Sequence, residues 1–200
     1  MFRSRRRSIV FPQTEHARLA GAIALAWRER PPVPFDSFVR GVADHDRGYG
    51  ELDADDIDTV ADERWIEIQR RGFAPRGQDP IVDLVVALHV RRLVGEPRDP
   101  ELEAAFPGIR AAAGVSDEDA EAADAVTNVC DRLAFLFAFE EPDEGEVRRF
   151  RYRLDGRGIV TLDPWPLAVP RLVGLVTAYE ADGYPARLVP VVVPYDVRPA

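Results

Sequence analysis

The stretch GVADHDRGYGELD (residues 41–53) decides how this chain is read. It carries an apolar helical pattern into an adjacent His45–Asp46 pair and then into glycines and acids. Only three histidines occur in 200 residues, so one placed beside a carboxylate at the end of a core-forming helix needs a reason. Two reasons are open: a metal site, or a solvated helix end. Asp36 is positioned to cap the segment FDSFVRGVADHD. Phe38 and Val42 precede His45 by seven and three residues, so His45 is expected to face inward with them.

Working outward, the other two histidines follow the same rule. Residues 9–12, IVFP, read as a short strand, and Thr14 as the N-cap of an amphipathic helix, TEHARLAGAIALAWRER. His16 lies on its apolar stripe with Leu19, Ala20, Ile23 and Trp27. The proline-rich PPVP breaks the chain before the stretch quoted above. After it, residues 50–64 are acidic and weakly patterned, which predicts loop, and WIEIQRRGF predicts a short helix. PIVDLVVALHVRRLVG is a strong helix in which Val82, Val85, Val86, His89 and Leu93 share one face. A long helix is predicted from Ser116, with Asp119 completing a variant capping box. On that helix Asp131 shares a stripe with Asp124, Thr127, Asn128 and Phe135.

Past residue 142 the period changes from helical to alternating. In RRFRYRL, Phe150, Tyr152 and Leu154 alternate with arginines; IVTL follows after a turn at DGRG, which predicts a hairpin. LVGLVTAYE and RLVPVVVPYDV read as two further strands. The expected architecture is therefore mainly α. A helical domain spans residues 1–141, with 1–8 flexible, and a small antiparallel, hairpin-rich β appendage spans 142–200.

Composition narrows the function. The net charge of −9 argues against a nucleic-acid partner, because the only dense basic cluster is RSRRRS at 3–8. No apolar run approaches the roughly 18 residues of a membrane span, and no signal-peptide core follows the basic cluster. A cytoplasmic protein is expected. The single cysteine, Cys130, rules out a disulfide framework and a cysteine-rich zinc site, and it reads as a small buried residue. None of the four serines (4, 8, 37, 116) sits in a nucleophile elbow. Gly-Arg-Gly at 156–158 reads as a hairpin turn, not a dinucleotide fingerprint.

Buried histidine is costly unless its ring nitrogens are satisfied. Three of them on inward stripes, with Asp46 and Asp131, would make a nitrogen–oxygen ligand set suited to Zn, Fe, Mn or Ni if they converge. The order of EHARLAG around His16, VADHDRGYG around His45 and Asp46, and VCDRLAF around Asp131 resembles the HD-domain superfamily of metal-dependent phosphohydrolases. The whole chain, with FPQTEHARLAG and LDPWP, also resembles an uncharacterised bacterial family of unknown function. The HD resemblance implies a helical fold in which His16, His45, Asp46 and Asp131 bind one or two divalent ions. Asp46 would bridge a second ion, and His89 would ligate that ion or act as a cation beside a phosphate. Many catalytic members carry a lysine after the HD-x-G segment where this chain has Tyr49, so Arg47 or a neighbouring arginine would supply the positive charge. Gly48 fits a sharp turn after the ligands.

With a metal bound, hydrolysis of a small phosphate ester or nucleotide by metal-activated water is expected. Asp46 and His89 are the candidate catalytic groups, and Arg91 and Arg92 the candidate phosphate donors. Glu51 and Asp53 are candidates for orienting the water. Two other readings stay open: a non-catalytic ligand-binding or scaffold protein, and a di-iron oxygenase. Oligomeric state is left open.

Overall fold

Helix ends in this chain are set by local chemistry. The computed structural model describes residues 1–97, 99–141, 143–155 and 158–200. Helix α1 spans Gln13–Leu25, α2 Phe35–Ala43, α3 Asp62–Phe73, α4 Pro80–Val94, α5 Pro100–Ala113 and α6 Asp117–Phe139. Asp79 caps α4 by accepting from the backbone N–H groups of Ile81 (3.0 Å) and Val82 (3.4 Å), and Pro80 gives up no hydrogen bond at the first helical position. Ser116 caps α6, accepting from Asp119 N at 3.1 Å and donating to the Asp119 carboxylate at 2.7 Å. Thr14 caps nothing. Pro12 opens α1, and the Thr14 hydroxyl instead donates 2.7 Å to the Gly50 carbonyl, tying the helix to the loop beyond the His-Asp pair. Helix α2 closes at Ala43, so His45 and Asp46 stand in the turns just past its end.

The strands join into one sheet: β1 (Phe2–Arg3), β2 (Ile9–Phe11), β3 (Glu144–Val147), β4 (Phe150–Leu154), β5 (Ile159–Asp163), β6 (Leu172–Glu180) and β7 (Pro190–Pro199). Their order is β1-β2-β6-β7-β5-β4-β3. All neighbours are antiparallel except β5 and β7, which run parallel with Ile159 opposite Asp196. This corrects the expected mainly α fold with a small β appendage. The chain is a mixed α and β structure built on a curled seven-stranded sheet with six helices among the described residues. The difference arises because β2, with β1 on its outer edge, pairs with β6, placing Ile9 opposite Glu180 some 170 positions later. Local periodicity carries no information about such a partner. The turn expected at Gly156 and Arg157 lies outside the described residues.

One apolar cluster joins the two kinds of element. Leu19, Ile23, Phe38, Val85 and Leu133 from the helices pack with Phe150, Leu154, Leu162 and Val197 from the sheet. The basic segment between β1 and β2 is pinned down by acids: Arg5 pairs with Asp58 at 2.6 Å, Arg7 with Glu140 at 3.1 Å, and Arg6 with Asp143. Among the described residues no helix is long and apolar enough to cross a membrane.

Gly48 has a different reason from the turn expected of it. A Cβ there would lie 2.3 Å from the Ile68 carbonyl oxygen and 3.0 Å from Gly72 N, so α3 passes too close for any side chain. The Gly48→Ala variant is expected to lose about 2–3 kcal/mol, since backbone must move to relieve the overlap. At this chain length that is a fall in Tm of roughly 4–12 °C. A thermal melt matching the parent's would refute the close contact.

Candidate metal centre

Four elements bring the site together. Helix α1 carries His16, the turns after α2 carry His45 and Asp46, α4 carries His89, and α6 carries Asp131. All three histidines are fully buried, and Asp46 is buried beside them. Each is directed by the stripe it shares with core residues, such as Leu19 and Ile23 behind His16. The rings stack edge to face, with centroids 5.1 Å apart for His16 and His45 and 4.4 Å for His45 and His89.

The ligand atoms converge. His16 Nε2 lies 3.2 Å from His45 Nε2, 3.0 Å from Asp131 Oδ1 and 3.6 Å from Asp46 Oδ2. His45 Nε2 lies 3.3 Å from Asp46 Oδ2 and 3.5 Å from Asp131 Oδ1. A tetrahedron with bonds of about 2.0–2.1 Å has edges of about 3.3–3.4 Å. The five separations scatter around that edge length. The ring orientation of His45 also suits a ligand: its Nδ1 donates 2.7 Å to the Val42 carbonyl, which leaves the Nε2 lone pair facing the cluster.

Electrostatics reinforce the geometry. Burial penalises charge on His45, yet the Asp46 and Asp131 carboxylates beside it raise its pKa to about 10. Burial likewise opposes ionisation of Asp46 and Asp131, but the histidines around them hold both well below the usual carboxylate range. Without a metal, the proton on His45 balances these carboxylates; a divalent ion would take that proton's place and bind the Nε2 lone pair it frees.

His89 plays a distinct part. Its Nδ1 accepts from Arg92 Nη2 at 2.9 Å, because a guanidinium only donates. The proton of the neutral ring therefore sits on Nε2, 3.4 Å from Asp46 Oδ1. Burial, and then the charge on His45, push the His89 pKa down to about 4, so the ring is neutral and not a cation beside a phosphate. Arg92 also reaches Asp131 Oδ2 at 3.4 Å and pairs with Asp124, so its donors serve the site's own residues. Arg91 points elsewhere, forking onto Glu103 at 2.6 and 2.9 Å and lying over the Phe106 ring. Glu51 is exposed, whereas buried Asp53 accepts from Gln13 N at 3.1 Å and from the Met1 amine. Arg47 turns away from the cluster to pair with Asp83 at 2.9 Å.

A cavity of about 220 Å³ opens on the ligand cluster. His16, Asp46, His89 and Asp131 form its polar end, and Phe2, Ile57, Leu93 and Phe135 its apolar walls. Among the described residues, Gln13 Oε1, His16 Nδ1 and His89 Nε2 are buried without a hydrogen-bond partner, and all three residues line this cavity. Buried polar atoms are normally paired, so their concentration here marks a ligand site. Phe2, Gln13, Ile57 and Arg132 line the cavity without a sequence signal that marks them, and of these only Arg132, next to Asp131 on α6, is charged. Only its partner from the distant strand β4, Tyr152, distinguishes it from the many other arginines.

Comparison with known proteins finds no match among curated proteins or solved structures. It also corrects the HD-domain resemblance: no HD-domain family matches, and the seven-stranded sheet departs from the helical fold that resemblance implied. Short His and Asp motifs on helices are degenerate enough to recur outside that superfamily. A family described as "Protein of unknown function (DUF3891)" matches residues 1–179, and the chain belongs to it.

Proposed function

We propose that this chain is a hydrolase that holds one divalent metal ion through His16, His45, Asp46 and Asp131 and acts on a small phosphate ester. The observation that carries the reading is the set of ligand separations, 3.0–3.6 Å, around a centre facing a cavity. One ion is proposed, because the Arg92 guanidinium engages Asp131 Oδ2 and His89 Nδ1 and so keeps a positive charge on the side of the cluster where a second ion would lie. The same contact disfavours the di-iron oxygenase reading.

A bound divalent ion lowers the pKa of its water to about 7 and polarises a phosphoryl oxygen. The chain's own residues do the rest. With four protein ligands the ion would need a fifth position for water, and the cavity beside the partly exposed Asp131 offers the room for it. The His89 Nε2–H, buried beside Asp46 without a hydrogen-bond partner, donates to a phosphoryl oxygen or to the water. Phe2 and Phe135 exclude bulk water. In the reaction the water oxygen forms a bond to phosphorus, the ester P–O bond breaks, and the leaving oxygen takes up the proton that the water gives.

The test is turnover of p-nitrophenyl phosphate by protein reloaded with Mn²⁺, Fe²⁺, Ni²⁺ or Zn²⁺. Hydrolysis abolished by a chelator and restored by metal is the expected result. Stoichiometric metal with no turnover of phosphate monoesters or diesters would sink the hydrolase reading and favour a binding or scaffold role.

A further inference from the structure

Helix α6 presents Asn128, Asp131, Arg132 and Phe135 to the same cavity, at the helical spacing that lines up one face. Two of these have clear parts: Asp131 belongs to the ligand cluster, and Phe135 forms an apolar wall against Phe2 with centroids 5.5 Å apart. Of the other two, Arg132 is the charged one. Its Nε and Nη2 donate 3.2 and 2.8 Å to the Tyr152 hydroxyl, and it pairs with no carboxylate among the described residues. A guanidinium has five N–H donors, so two are used and the other three remain. Most neighbouring arginines are neutralised: Arg91 by Glu103, Arg92 by Asp124 and Asp131, Arg47 by Asp83.

The arginine is also held in place. Its guanidinium lies 4.9 Å from the Phe135 ring centre and 5.5 Å from that of Tyr152. Tyr152 is itself buried, and it crosses directly over Gly145, its partner on β3. A Cβ at Gly145 would stand 2.5 Å from the Tyr152 hydroxyl, so glycine there makes room for the ring that fastens Arg132. A neutral hydroxyl fixes the guanidinium without cancelling its charge. Such a group beside a metal-ligand cluster is suited to forked recognition of an anion.

Resting on the metal-hydrolase reading above, we infer that Arg132 is the substrate's anion anchor, positioned by Tyr152, and that the substrate is a small phosphate monoester with an apolar or aromatic body. The phosphate spans the gap between the ligand cluster and Arg132. The body lies against Phe2, Ile57, Leu93 and Phe135. At about 220 Å³ the cavity is smaller than the ~300–1,000 Å³ typical of sites for drug-sized ligands, which favours a compact molecule.

Phenylphosphonate, which the enzyme cannot hydrolyse, is the probe, titrated calorimetrically into metal-loaded protein with metal content measured in each sample. Binding to the parent is expected to weaken by about 10- to 100-fold in Arg132→Gln, the loss of charge-assisted hydrogen bonds. Arg132→Lys, which keeps the charge without the fork, should recover part of it. Tyr152→Phe, which keeps the charge but unfastens the group, should weaken binding by several-fold with metal content unchanged. Methylphosphonate, lacking the apolar body, is expected to bind the parent about tenfold or more weakly than phenylphosphonate. A parent that takes up no metal overturns the metal reading and this inference with it. A metal-loaded parent that binds phenylphosphonate no better than Arg132→Gln overturns the anchor alone. Equal affinity for the two phosphonates overturns the apolar body.

Discussion

The double variant His45→Ala Asp46→Ala is expected to purify with no bound metal, while the parent reloaded with Zn²⁺ or Mn²⁺ carries close to one ion. Loss of a group that only hydrogen-bonds to a metal ligand costs roughly 10- to 100-fold in metal affinity, so loss of two direct ligands should cost more than about a hundredfold. The thermal consequence is large. A ligand present at about a thousand times its Kd stabilises the folded state by about 4 kcal/mol, which for a chain of this size is a rise in Tm of roughly 8–16 °C. Metal should therefore raise the parent's Tm by that order and leave the variant's unmoved. In chelator that metal-dependent gap is expected to close, leaving only the loss of the His45 contacts with Asp46 and Asp131. Arg91→Ala serves as the control, since its guanidinium is committed to Glu103, and it should bind metal like the parent. Equal metal content in parent and double variant would dissolve the proposed centre.

The second large effect is structural. Arg47, expected to lend its charge to a phosphate, is instead buried against Asp83 at 2.9 Å, with side-chain exposures of 4% and 5%. Its Nε and Nη2 donate 2.9 Å each to the carbonyls of Gly72 and Ala74, closing the end of α3. Asp83 in turn accepts from Arg76 N at 3.0 Å and Gly77 N at 2.9 Å, which fixes the loop leading into α4. The pair joins the turn that carries His45 and Asp46 to both helices behind it. Removing one partner of a buried pair strands the other, so Arg47→Ala is expected to lose about 3–5 kcal/mol. That corresponds to a drop in Tm of roughly 6–20 °C. Asp83→Leu combined with Arg47→Met, which removes both charges, should recover a large part of the loss. An Arg47→Ala protein that melts like the parent but has lost turnover would mean that the charge serves the substrate after all.

The sequence and the tertiary structure each decided separable parts of this protein. The inward direction of His16, His89 and Asp131 follows from helical spacing with Leu19, Val85 and Phe135, because a helix turns its side chains through a constant angle, whereas His45 lies in the turn past α2 and is aimed by its bond to the Val42 carbonyl. The starts of α4 and α6 are legible in Asp79-Pro80 and Ser116-x-x-Asp119, because caps act over one turn of chain. What the sequence left open depends on partners distant along the chain. Nothing local in IVFP says that it will pair with residue 180, or that β5 will run parallel to β7, and so the sheet was underestimated. The arginines were misjudged for the same reason. Arg91 and Arg92 stand closer to a histidine in sequence, but Glu103 on α5 and Asp124 on α6 claim them. Arg132 meets no carboxylate among the described residues, and the sheet brings it a neutral tyrosine. Which way a side chain faces is fixed by its own helix; whether its charge is cancelled is fixed by whatever the fold brings against it.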